Sequence, residues 1–200
     1  MNIKDILREN FDIDCDYDIM NECSIPEKTL IELKEFDNVI SKLNNDAKIV
    51  EVDVRYGNFT VFLSKLVDKY NKNISIIGID LWEKYDNYGG INDNSYIMMT
   101  NLLSKYKNIK LIQMDSTESA DLFEDNEIDI VIIDGDHRYD KVKSDINAWL
   151  PKLKNNGIMY CHDYNCKNFN VARVVNEIIK NIEILDYNST FWICKNSKGE

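Results

Sequence analysis

Glu127-Ile128-Asp129-Ile130-Val131-Ile132-Ile133-Asp134-Gly135-Asp136-His137-Arg138-Tyr139 is the stretch whose reading decides the fold. From Ile128 to Ile133 the run is apolar and β-branched, broken only by Asp129, as in a strand covered on both faces of a parallel sheet. It stops abruptly at Asp134-Gly135-Asp136-His137. A helical pattern then begins at Tyr139, with Val142, Ile146 and Trp149 on its apolar face. In open α/β sheets, ligands bind outside the carboxyl ends of the strands. The polar residues that end this strand are therefore the first candidates for chemistry.

The same unit recurs on either side. Residues 48–54 read as a first strand, Arg55-Tyr56-Gly57-Asn58 as its turn and 60–70 as a helix. Strands follow over 74–80 and 109–114, separated by an aromatic, glycine-containing loop from 81 to 90 and a helix over 93–106. After the helix over 139–150 come a turn at 154–157, a strand over 158–161 and a helix over 171–179. Two last strands, 182–187 and 190–195, are joined by Asn188-Ser189, a link short enough to make them antiparallel. Ahead of all this, a short helix is expected over 3–9. Ser24-Ile25-Pro26-Glu27 is a capping box with proline in the first turn. Behind it, Leu30, Leu33, Phe36, Ile40 and Leu43 share one helical face. Strands alternating with helices predict an α/β, doubly wound, mostly parallel seven-stranded sheet with a C-terminal antiparallel hairpin strand. The 200 residues read as one domain, with a helical cap over 1–45 and a core over 46–197.

The totals narrow the function classes. Acidic residues outnumber basic ones 35 to 24, for a net charge of −11, so nothing basic is available to track a phosphate backbone and no nucleic-acid partner is expected. No apolar run is long enough to span a membrane, and the first residues lack the apolar core of a signal peptide. Cys15, Cys23, Cys161, Cys166 and Cys194 are an odd number without CxxC spacing, which reads as reduced thiols in a cytoplasmic protein. Self-association is left open by the sequence.

Asp80, Asp115, Asp134 and Asp163 each follow a separate apolar strand. If the fourth and fifth strands are neighbours, they run about 4.8 Å apart, and Asp134 and Asp163 can share one cation. Two carboxylates that close repel unless protonated or bridged by metal. Their oxygens suit a hard divalent ion such as Mg²⁺. The two histidines of the chain, His137 and His162, sit beside these acids. A dinucleotide fingerprint G-x-G-x-x-G after the first strand would need glycine at Asp53, Arg55 and Asn58, and none is present.

Glu51 with Gly57 six residues on, Asp80-Leu81-Trp82, Asp115-Ser116, Asp134-Gly135-Asp136-His137-x-Tyr139 and His162-Asp163 follow one another as they do in a known group. The chain resembles class I S-adenosylmethionine-dependent methyltransferases, and most of all the methyltransferase-24 group, which is similar to macrocin O-methyltransferase and the cephalosporin-hydroxylase-like proteins. The resemblance covers roughly residues 48–195 and implies a Rossmann-like core. It implies that Glu51 and Gly57 line the methionine end of S-adenosylmethionine. Asp80, with Leu81 beside it, would take the ribose hydroxyls, and Asp115 and Ser116 would lie near the adenine. Asp134 and Asp163 match metal-ligand positions, with His162 where relatives often carry an acid. His137 matches a general-base position, which with Asp134 makes the catalytic pair. Trp82, Tyr85 and Tyr88 fall in the loop that closes over the substrate.

One departure stands out. Relatives usually have glycine where this chain has Asp53. A carboxylate there adds bulk and repels the methionine carboxylate, or else pairs with the amino group. The function implied is a divalent-metal-dependent O-methyltransferase acting on a small-molecule acceptor, a sugar or glycoside in preference. The alternatives are a catechol-type acceptor, whose adjacent hydroxyls chelate the metal, and a non-catalytic binding module that keeps the fold.

Overall fold

A computed structural model of the chain describes residues 8–9, 11, 27–83, 95–164, 166, 169–179 and 192–195. Its elements are α1 (Glu27–Lys42), β1 (Lys48–Val52), α2 (Asn58–Lys69), β2 (Ser75–Asp80), α3 (Ser95–Leu103), β3 (Ile109–Gln113), α4 (Ser116–Ser119), β4 (Ile128–Ile133), α5 (Tyr139–Trp149), β5 (Leu153–Cys161), α6 (Val171–Ile178) and β6 (Trp192–Lys195). The strands form one sheet in the order β3-β2-β1-β4-β5-β6. The first five are parallel, and β6 pairs antiparallel with β5. The expected seven strands are thus six among the described residues, and no hairpin is seen. Its first arm, 182–187, lies outside them, as do the capping box at 24–26 and most of the expected helix over 3–9.

Period-two alternation sends the two sides of each strand into two separate cores. Ile49, Ile76, Ile130, Ile132 and Tyr160 face α1, α2 and α3, where Phe36, Ile40, Phe62, Leu66 and Met99 are buried. Val50, Val52, Ile79, Val131, Ile133 and Met159 face α5 and α6, where Ile146, Trp149, Val174 and Val175 are buried. This double cover explains why β4 reads as a continuous apolar run rather than an alternating one. Two boundaries differ from expectation. β1 stops at Val52 instead of 54, because Asp53 turns to φ 70°. β5 starts at Leu153 rather than 158 and carries the expected turn inside it. Between the Ile128–Leu153 and Ile130–Ile158 pairings, four residues of β5 stand against one of β4, with Asn156 at φ 65°.

Gly78 sits in the middle of β2, opposite Glu51 of β1 and Leu111 of β3. A Cβ added there would lie 2.7 Å from Val54 Cγ2 and 2.9 Å from Leu111 Cδ2, so the strand needs glycine for close approach. Gly78→Ala should destabilise the fold by ~1–3 kcal/mol, the usual cost of overpacking. Val54→Ala in the same chain should restore part of that loss. Urea midpoints of the two single variants and the double variant check this, and simple additivity of the two losses would refute it.

Candidate active-site cleft

The strand order fixes where the cleft lies. β1 is followed in sequence by β2 on one side but bordered by β4 on the other, and ligands bind at such a switch point. Val52 is level with Ile79 and Ile133, and Ile133 is level with Cys161. The ladders run one residue further. Asp53 N–H donates to the Ile79 carbonyl (2.8 Å), Asp134 N–H to Val52 (3.2 Å) and His162 N–H to Ile133 (3.0 Å). Asp53, Asp80, Asp134 and His162 therefore stand side by side at one edge.

On the β1–β2 side the acids crowd together without enough positive charge. Glu51 is buried and accepts a hydrogen bond from Thr60 Oγ1 (2.6 Å). Burial pushes its pKa up to about 8, with Thr60 opposing and Asp134 and Asp80 adding to the rise. Asp53 is likewise pushed up to about 8, by burial first and then by the charge of Asp80, a hydrogen bond shared with Asp80 and the charge of Asp134, with Arg55 pulling the other way. Asp80 is only 5% exposed. Its Oδ2 accepts from Arg55 N–H (2.8 Å) and its Oδ1 from Trp82 N–H (2.6 Å). With the hydrogen bond it shares with Asp53, Asp80 holds the loop while standing at the edge of the cleft. Leu81, half-buried, links it to Trp82, and its carbonyl accepts from Gln113 Nε2 (2.9 Å). Gly57 lies at φ 70°, but so does Asp53, and Arg55 is at φ 51°. Left-handed backbone costs an L residue ~1–2 kcal/mol, less for aspartate.

Trp82 is a correction. The resemblance placed it in a loop closing over substrate, whereas its ring is buried, its Nε1 donates to the Arg55 carbonyl (3.0 Å) and it packs on Tyr96 of α3. It anchors the β1 loop from behind. Tyr85 and Tyr88 lie outside the described residues.

At the end of β3, Asp115 caps α4. Its Oδ1 accepts from Thr117 N–H (2.9 Å) and from Thr117 Oγ1 (2.6 Å), and the Thr117 hydroxyl bond leads in holding this carboxyl below the ordinary range. Asp115-x-x-Glu118 is a capping pattern that was present in the sequence and passed over. The Ser116 hydroxyl accepts from Trp149 Nε1 (3.0 Å) and bonds to Asp145, a buried acid whose pKa burial raises to about 6, with the Ser116 bond opposing the rise. Asp145 was missed as well. Its signal is a carboxylate on the same helical face as Val142, Ile146 and Trp149.

On the β4–β5 side, Asp134, His137 and His162 each offer one ligand atom, all within 4.8 Å of one another. The group differs from the expected set of Asp134, His162 and Asp163: His137 belongs to it and Asp163 does not. Asp163, at φ 57°, lies between the imidazoles, 2.9 Å from His137 Nε2 and 3.3 Å from His162 Nδ1, while His162 Nδ1 is 2.9 Å from Asp134 Oδ1. His137 Nδ1 faces the Gly135 carbonyl, an acceptor, so it carries the proton. The Nε2 lone pair then meets the Asp163 carboxylate, an arrangement that calls for a proton or a cation between them. Ligating histidines characteristically donate their other N–H to a backbone carbonyl in this way. Phe169, 40% exposed, packs edge-on against the His137 ring at 4.3 Å.

The raised acids give a pH dependence whose sign is fixed. With folded pKa values of about 8 for Asp53 and Glu51, the folded state keeps protons that the unfolded chain releases near its ordinary carboxylate pKa of about 4. Their contribution is full below that lower value and is lost as the pH rises toward 8. Asp53→Asn keeps a polar isostere that tolerates positive φ and should flatten the fall in urea stability between pH 5 and 8. An identical slope in the variant would show that Asp53 ionises as an ordinary carboxylate.

Comparison with known proteins agrees with this geometry. Residues 50–164, more than half of the chain, match the profile of a family described as a methyltransferase domain. A curated relative, the uncharacterised protein y4gI of Sinorhizobium fredii (strain NBRC 101917 / NGR234), is 26% identical over 117 residues, and the match covers 58% of this chain but only 13% of that protein. Among solved structures, the O-methyltransferase NovP superposes with a TM-score of 0.66 at 11% identity, covering 84% of this chain and 81% of NovP. CalS11, a calicheamicin methyltransferase, gives 0.61 at 14% identity with 87% of each chain covered. A Corynebacterium glutamicum protein gives 0.63 at 11% identity, covering 96% of this chain and 87% of the other. At such identities these structures speak for the Rossmann-like fold alone, while the family match, which begins in β1 and ends past His162-Asp163, identifies the chain as a member of the class I S-adenosylmethionine-dependent methyltransferase-domain family.

Proposed function

We propose that the chain is an O-methyltransferase that activates an acceptor hydroxyl at a divalent cation held at the carboxyl ends of β4 and β5. The carrying observation is the convergence of Asp134, His137 and His162 within 4.8 Å, beside the acid-lined end of β1. The donor set fits a cation, because carboxylate and imidazole atoms converge there, with Asp163 2.9 Å from His137 Nε2 beside them. A bound divalent ion lowers the pKa of a coordinated hydroxyl and makes it a nucleophile near neutral pH. S-adenosylmethionine supplies the methyl group as a sulfonium. Asp80 is set to accept from its ribose hydroxyls, and Glu51, Asp53 and Gly57 to line its methionine end. Asp115 and Ser116 belong to the adenine side.

We read His137 as a ligand rather than as the general base that the resemblance implies. A general base needs a ring nitrogen facing the acceptor, yet Nδ1 faces the Gly135 carbonyl and Nε2 faces Asp163. We therefore place His137 in the ligand set with Asp134 and His162, Asp163 completing or orienting it. Two imidazoles shift preference from Mg²⁺ toward Mn²⁺ and other transition ions. The acceptor class is a small polar hydroxyl compound, a sugar or glycoside in preference. A catechol-type acceptor is the second reading, favoured by the exposed Phe169 ring, which offers a flat apolar wall beside the cation site.

Excess chelator should abolish methyl transfer, and Mn²⁺ should restore it at lower concentration than Mg²⁺. Full activity in chelator would remove the cation from the mechanism. His137→Ala separates the two roles of that residue. As a ligand, its loss should weaken Mn²⁺ binding measured by calorimetry by about 10-fold or more, alongside a fall in turnover. Wild-type Mn²⁺ affinity with turnover down about 10²–10⁴-fold would instead return His137 to the role of base. A panel of sugars and vicinal phenols as acceptors decides between the two substrate classes.

A further inference from the structure

We propose that β3, the open edge of the sheet, pairs antiparallel with β3 of a second copy of this chain about a twofold axis at Leu111, joining the two sheets into one. The inference stands apart from the catalytic reading and does not rest on it.

β3 ends the sheet on one side, and no strand among the described residues pairs with its outer side. Ile76 N–H donates to the Asn108 carbonyl at one end of β3 (2.8 Å), and Met114 N–H to the Asp80 carbonyl at the other (3.1 Å). With Ile76 level with Ile109 and Asp80 with Gln113, the backbone groups of β3 that bond β2 are those of its even-numbered residues. The Ile109 carbonyl, both backbone groups of Leu111 and the Gln113 N–H therefore point away from β2. The Ile109 N–H is taken by the Tyr106 carbonyl (3.2 Å). Apolar surface accompanies these groups. Ile109, Leu111 and Ile112 are only half-buried, whereas Ile76, Ile77 and Ile79 of β2 are buried. The connection from β3 to β4 holds four-residue α4 and a 3₁₀ turn over Ala120–Leu122, so no long helix covers this end of the sheet. Leu122, 56% exposed, lines a groove with Lys110, Ile112 and Phe123. A bare apolar strand edge is a template for a further strand.

Charge and register point to a second copy as the occupant. The chain carries −11 in all, yet the exposed charges on this edge and just ahead of it are Lys107 and Lys110. In antiparallel self-pairing the outward groups must meet each other, so odd-numbered residues face odd-numbered ones. Setting Ile109 opposite Leu111 would place Lys110 directly against its own copy, which is destabilising. Setting Leu111 opposite Gln113 aligns fewer residues of the two strands. Setting Leu111 opposite itself avoids both faults. Leu111 then exchanges two backbone bonds with its copy, and each Gln113 N–H meets the opposite Ile109 carbonyl. Lys110 stands against Ile112, where its alkyl stem covers apolar surface while its ammonium stays in water. The turn that carries Lys107 faces Asp115 of the second copy, so a basic side chain meets an acid at the carboxyl edge of the sheet. Each contact occurs twice, as an isologous interface requires.

Sedimentation velocity over a range of protein concentrations, together with cysteine cross-linking, tests this. The wild-type chain should show a dimer whose fraction rises with concentration. Leu111→Pro removes an outward N–H and leaves the bonds from β3 to β2 in place, and proline is tolerated at such an edge position. It should abolish the dimer. In the pairing proposed, the two Leu111 Cα atoms lie about 5.5 Å apart, within disulfide reach. Leu111→Cys should therefore give a disulfide-linked dimer under mild oxidation, above the background set by the five native cysteines. Lys110→Cys should stay at that background, because its two copies are two residues out of line and about 8 Å apart, too far for a disulfide. A wild-type chain that is monomeric at every concentration overturns the inference. So does a dimer that persists in Leu111→Pro, which would use another surface, and so does cross-linking at Lys110→Cys in place of Leu111→Cys, which would mean another register. If circular dichroism shows that Leu111→Pro has lost the fold, the two cysteine variants alone decide.

Discussion

The hydrogen-bond ladders that β1 shares with β2 and β4 hold Asp53, Asp80 and Asp134 at one level, and most of the cleft follows from that constraint. Parallel register leaves no freedom to spread these carboxylates along the strand axes. Once Val52 is level with Ile79 and Ile133, the next residue on each strand must meet its neighbours. Repulsion is then handled locally. Backbone N–H groups of Arg55 and Trp82 satisfy Asp80, Thr60 satisfies Glu51, and Asp53 answers by keeping a proton. Both cores stabilise this arrangement from outside, since shifting any of the three strands would expose apolar surface on both faces at once.

Most of the fold was legible because its strands are buried on both sides. β4 was bounded in the sequence as 128–133, and the starts of α5 and α6 were read at Tyr139 and Val171. What escaped was short or irregular. α4 spans only four residues, too few for periodicity to register, and its one signal is the Asp115 cap. The bulge in β5 reads as a turn from Asn155-Asn156-Gly157, because turn residues look alike whether they end a strand or interrupt it. The count of seven strands rested partly on 182–187, which lies outside the described residues.

The candidate site was legible at the level of which strand ends carry acids and histidines, and less so at the level of what each side chain does there. The resemblance put His137 in the position of a general base. Only the structure shows both of its ring nitrogens engaged. Trp82 shows the converse. A large aromatic next to the cleft was read as a substrate contact, yet the indole is turned inward to hold the Arg55 carbonyl. Proximity in sequence fixes neighbourhood, whereas rotamer and hydrogen-bond partner decide role.

The loop from Asp53 to Gly57 holds a single glycine, although the backbone adopts positive φ at three of its five positions. Glycine samples far more unfolded conformations than aspartate or arginine, so ordering this loop forfeits less chain entropy than a glycine-rich loop would. Strain in the folded state is exchanged for a narrower unfolded ensemble. The loop is also tied down from behind by Asp80 and Trp82. Little configurational freedom is then left to lose when a ligand arrives, and a cleft ordered in advance retains more of its contact energy as affinity.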